Sequence, residues 1–165
     1  MKKLSLYILM FLFLFTFSAC KAKAPEEINM HVDSHFTATM EELSLEGVLI
    51  YTEDGEMYLD ISSPDELYSL SYSYGDNLTI GYLGLNAMTE TDYLPDFAFA
   101  KALKNTLDDA LSSSPAIQYD EKSGFTAKGK TKSGCYTLFV DEKGNIRNIE
   151  IEPLNIKVRL ESNNT

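Results

Sequence analysis

Across residues 45–160 apolar side chains recur at every second position in run after run, and one segment alone departs from that period. Such alternation specifies strands with one apolar face and one polar face. The runs LEGVLIYT (45–52) and EMYLDIS (56–62) flank Glu53, Asp54 and Gly55, a three-residue hairpin loop with glycine at its left-handed position. Pairing Tyr51 with Met57 sets Leu49 opposite Leu59 and Gly47 opposite Ile61, so both strands agree on one apolar face. A slip of one residue would turn that face to water.

The stretch LYSLSYSYGDNLTIGYLGL (67–85) behaves the same way. With Gly75, Asp76 and Asn77 as the loop, Tyr74 meets Leu78, Tyr72 meets Ile80 and Leu70 meets Tyr82, while Ser69, Ser71 and Ser73 take the other face. Further on, GCYTLFVD and IRNIEI joined by EKGN oppose Leu138 to Ile149 and Tyr136 to Ile151, and LNIKVRL resumes the alternation beyond Pro153. Weaker strands fit residues 36–40, 116–120 and 124–130. The expectation is about eight or nine antiparallel strands.

The exception is PDFAFAKALKNTLDDAL (95–111), where Phe97, Ala100, Leu103, Leu107 and Leu111 recur at helical spacing and Pro95 suits a first turn. Lys101, Lys104, Asn105, Asp108 and Asp109 fall on or beside the opposite face. An antiparallel sheet with one apolar face must be covered or curl on itself. The expected fold is therefore α+β and mainly antiparallel β, a curved, incomplete barrel wrapped around one amphipathic helix.

The first nineteen residues, with Lys2 and Lys3 before an uncharged apolar run, read as a secretory signal. The segment FSAC (17–20) resembles the lipobox of bacterial lipoproteins, which implies a lipidated Cys20 as the mature N-terminus. Two or three acyl chains anchor stably, each buried methylene contributing ~0.8 kcal/mol. Residues 20–34, with Pro25 and no sustained period, read as the lipidated N-terminus and a tether, and residues 35–165 as the folded domain. Losing Lys2 and Lys3 leaves 12 basic residues against 25 acidic ones, a net charge of −13. That balance argues against nucleic acid and against adsorption to anionic headgroups. Cys135, with Cys20 committed to lipid, has no disulfide partner and is expected to be a small buried side chain in a strand.

The hairpins of residues 62–85, the helix after Leu94 and Pro95, and the closing GCYTLFVDEKGNIRNIEIEPLNIKVRL together resemble the LolA/LolB family of periplasmic lipoprotein carriers and the related LppX-type lipoproteins. That resemblance implies an open half-barrel whose concave face is plugged by helices. This chain begins its domain with a strand and carries fewer helices, so the concave face is open to two readings, hollow or filled.

If hollow, Tyr51, Leu59, Leu70, Tyr72, Leu78, Ile80 and Tyr82 from the sheet, with Phe97 and Phe99 from the helix, line a site for a lipid or other amphiphile. If filled, the same tyrosines are core, and the protein is an adaptor for a cell-envelope partner, bound at a sheet edge or at the rim. No nucleophile elbow, phosphate loop, paired-cysteine site or dinucleotide glycine pattern occurs, so neither an enzyme nor a cofactor is expected. His31 and His35, with Asp33 between them, would share a face only on a helical turn, and they read as a solvated pair and not as metal ligands. The expected location is the extracytoplasmic face of the cell membrane, through the lipid anchor.

Overall fold

The structure, a computed structural model, describes residues 24–162. Eleven strands and one α-helix are described, with two short 3-10 turns at Asp65–Leu67 and Glu152–Leu154: β1 (Val32–Met40), β2 (Leu43–Tyr51), β3 (Met57–Ser63), β4 (Leu70–Tyr74), β5 (Leu78–Tyr82), β6 (Leu85–Thr89), α1 (Phe99–Ser113), β7 (Gln118–Asp120), β8 (Gly124–Thr131), β9 (Gly134–Val140), β10 (Ile146–Ile151) and β11 (Ile156–Ser162). They form one unclosed sheet in the order β6-β5-β4-β3-β2-β1-β11-β10-β9-β8-β7, with every neighbouring pair antiparallel. The chain lays down one wing, β1 to β6, then crosses by way of α1 to the far edge. It returns strand by strand until β11 pairs with β1, from Ser34 opposite Ser162 to Met40 opposite Ile156.

The three hairpin registers expected from the alternation are observed: Leu49 faces Leu59, Tyr72 faces Ile80, and Leu138 faces Ile149. The strand count is higher than the eight or nine expected. One strand that the alternation concealed is β6, reached from β5 through a two-residue turn at Leu83 and Gly84, both at positive φ. A leucine in the left-handed region gives no polar signal of a turn, so YLGL reads as the tail of β5.

Two further expectations are corrected. β1 starts at Val32, ahead of His35, with Val32, Ser34, Phe36 and Ala38 turned inward; Met30 is already buried, and the Asn29 amide donates to the Gly144 carbonyl. Cys135 lies in β9 as expected but is exposed, because Tyr136 and Leu138 take the inward positions and alternation turns Cys135 out.

The core is the inward face of the sheet closed by α1. Leu103 and Leu107 are fully buried and Ala100 and Ala110 nearly so, recurring at helical spacing. Burying each leucine stabilises the fold by ~1.5–3 kcal/mol. The Phe99 ring packs on Phe36 of β1 with centroids 6.0 Å apart. The helix ends at Ser114, whose left-handed backbone lets its amide donate to the Ala110 carbonyl.

Candidate functional site

The concave face is the surface that would take a ligand if it were hollow, and α1 packs on it. Tyr51, Leu59 and Leu78 are each 0% exposed, and Phe99 is buried against Phe36. Leu70, Tyr72 and Ile80 are half-buried and pack on the same core, with Leu59, Tyr72 and Ile80 side by side across β3, β4 and β5. Tyr82 continues this row but is 42% exposed, its hydroxyl donating to the Glu66 carbonyl at 3.2 Å.

Phe97 is not on the helix and lines nothing inward: it is 68% exposed. The helix begins at Phe99 and not at Pro95, because residues 95–98 form a separate turn closed by the Ala98 amide on the Pro95 carbonyl. Extended backbone at Ala98 then starts the helix.

Two of the inward tyrosines are committed to the helix. Tyr51 reaches from β2 to donate to Asp108 Oδ1 at 2.8 Å, and Tyr136 reaches from β9 to donate to Asp109 Oδ2 at 2.7 Å. Both wings thus hold the same turn of α1. Tyr136 can lie flat because its strand neighbour is Gly129, where a Cβ would stand 2.3 Å from the tyrosine ring. Burial, and next the hydrogen bond to the neighbouring carboxylate, push both phenols well above the ordinary tyrosine range. Lys104 pairs with Asp108 one turn away and stands 5.8 Å from the centre of the Tyr74 ring.

Nearer the start of the helix, the buried Lys101 donates to Asp92 at 2.7 Å and to the Thr91 carbonyl at 3.0 Å. Asn105 bridges Asp96 and Ser133. Two hydroxyls in this interior, Tyr74 and Thr106, are buried without a hydrogen-bond partner.

Two half-open clefts lie elsewhere. One, of about 700 Å³, is bounded by residues 26–30, the end of α1 and Lys143; the other, of about 780 Å³, lies between residues 31–34 and the β9–β10 turn. Neither is lined by any of the nine candidate residues. His31 lies just ahead of β1, and Asp33 and His35 are on its outward side, so the helical turn that would have grouped them is not formed. Among the described residues no cluster of three or more His, Cys, Asp or Glu is placed to hold a metal ion. No described helix is long and apolar enough to cross a membrane. Cys20 and the signal segment lie outside the described residues.

A feature that sequence reasoning missed is how charge divides between the wings. Residues 24–100, which contain β1 to β6, carry 16 acidic residues and no lysine or arginine, whereas residues 101–162 carry 9 acidic and 10 basic residues. Counting by segment, and not over the whole chain, would have found it. Of nine large apolar side chains exposed among the described residues, eight lie on this acidic wing or its following loop, including Tyr68, Leu83, Leu85 and Met88. A scan against protein-family models finds no match, and a search of curated proteins finds no significant match either.

Proposed function

We propose that this chain is a lipoprotein anchored through Cys20 at the extracytoplasmic face of the cell membrane, and that it acts by binding a cell-envelope protein. The observation that carries this reading is the occupation of the concave face by α1, with Tyr51, Leu59 and Leu78 fully buried and the rim tyrosines bonded to Asp108 and Asp109. A helix so held by both wings supports a filled concave face over the amphiphile site of a carrier. In this reading the chain is a filled relative of the LolA/LppX-like half-barrels.

Anchoring through Cys20 would also orient the domain. Asn29 is fastened to the β9–β10 turn through Gly144 and Asn145, and Cys20 lies nine residues before it, a reach of at most ~30 Å. In this reading the turns at residues 52–56, 75–77 and 141–145, at the same end of the sheet as the start of β1, face the membrane. Tyr68, Tyr82, Leu83 and Leu85 cluster at the opposite end, where an extracellular partner approaches.

The test is site-specific photocrosslinking in cells from position 83, with position 142 at the membrane-facing end as control. A discrete adduct from position 83 alone supports the reading, and absence of any adduct overturns it. The half-buried row Leu70, Tyr72 and Ile80 favours amphiphile binding as the second reading. Solvent extraction of the folded protein followed by mass spectrometry decides between them: a stoichiometric lipid would replace the adaptor by a carrier.

A further inference from the structure

The sheet has two free edges, and they are not alike. The β7 edge is three residues long and ends in Asp120, whose carboxylate caps the following turn through the amides of Lys122 and Ser123. A short, charged edge strand is how proteins discourage pairing with another chain. The β6 edge has no such guard. Its sequence is LNAMT, with neither charge nor proline; its first four residues are exposed, and it pairs only with β5.

The turn at Leu83 and Gly84 fixes which β6 groups are available. In a two-residue hairpin the flanking residues, here Tyr82 and Leu85, form the hydrogen-bonded pair, so the alternation of an antiparallel ladder turns the amides of Asn86 and Met88 away from β5. Leu85 is 76% exposed and Met88 73% exposed, on opposite faces of this edge. An added strand would find apolar contacts on both faces.

Charge identifies what suits that edge. Asp65 and Glu66 lie by its start, where Tyr82 bonds the Glu66 carbonyl, and Asp76 and Glu90 lie by its end, on a wing without a basic residue from 24 to 100. A second copy of this chain would bring the same negative field, whereas a lysine- or arginine-rich strand would neutralise it. We infer that the free edge of β6 receives an extended, basic polypeptide segment, which pairs with the outward amides and carbonyls of β6 as an additional strand. The inference rests on the partner-binding reading above and names the chemistry of the partner.

The experiment measures binding of the full chain, purified in a nonionic detergent, to a labelled short peptide in which lysine alternates with valine. Controls are the same peptide with prolines that prevent strand pairing and an otherwise identical glutamate peptide. The lysine–valine peptide is expected to bind at least tenfold tighter than either control, and its affinity to fall with salt. Met88→Pro removes an outward amide while sparing the β5 ladder, and should weaken binding at least tenfold with an unchanged melting temperature. Met88→Lys, at a side chain already in solvent, should do the same by charge and serves if the proline variant melts early.

Equal binding of the proline-containing peptide, or undiminished binding by both variants, would show diffuse charge attraction and overturn the edge site while leaving the crosslinked partner in place. Failure of every peptide to bind also overturns it. Concentration-dependent dimers abolished by Met88→Pro would make a second copy the occupant and overturn the basic segment.

Discussion

At the scale of single residues, three inward tyrosines that look alike in sequence have different partners. Tyr51 and Tyr136 donate to carboxylates of α1, whereas the Tyr74 hydroxyl is buried without a partner. Tyr51→Phe should therefore cost ~1.5–3 kcal/mol, the worth of a hydrogen bond to a charged group, and Tyr74→Phe should be neutral or stabilising, as read from urea unfolding midpoints. Asp141 tests the opposite sign of titration. Burial alone would raise its carboxyl, but hydrogen bonds from the Asn145 side chain and amide, the Lys143 amide and Arg147 outweigh it and hold the group down at about 2. A folded value below the unfolded one of ~3.9 contributes stability that is present above pH ~4 and lost as pH falls through about 2. Asp141→Asn should thus lower the melting temperature at pH 7, with the difference from wild type narrowing between pH 4 and pH 2.

At the scale of elements, α1 is the part on which the concave face depends. Leu107→Ala removes a fully buried side chain at its centre and should destabilise the protein by ~2–5 kcal/mol in equilibrium unfolding. Hairpin registers were legible in the sequence because two apolar faces had to agree, as at Leu49 with Leu59 and Leu138 with Ile149. The start of the helix was not, because it is decided together with the irregular loop before it, which is held by side-chain contacts outside the helical period: Asn105 reaching Asp96, and Lys101 reaching Asp92. Lys101 illustrates the same limit, since helical spacing marks it as polar while its burial depends on a partner nine residues away in an irregular loop. Of the nine candidate lining residues the sequence correctly grouped the sheet members on one face. It could not show whether that face was occupied, which is a matter of tertiary volume and not of period.

At the scale of the whole molecule, the uneven charge makes the wing of β1 to β6 repel itself. Raising salt from about 10 mM to about 150 mM, which shortens the screening length from ~30 to ~8 Å, should raise the melting temperature at pH 7. A melting temperature that stays flat or falls would mean that the acids are already offset within the fold. The pairing of β1 with β11 carries a different consequence. These strands face each other across 116 to 128 positions of sequence, yet they sit at the middle of the sheet and join its two wings. A chain emerging from a channel N-terminus first would hold β1 with one side unzipped until the last strand had followed. Closure of that central seam would then be a late, all-or-none event, and assembly would be timed by the arrival of the tail.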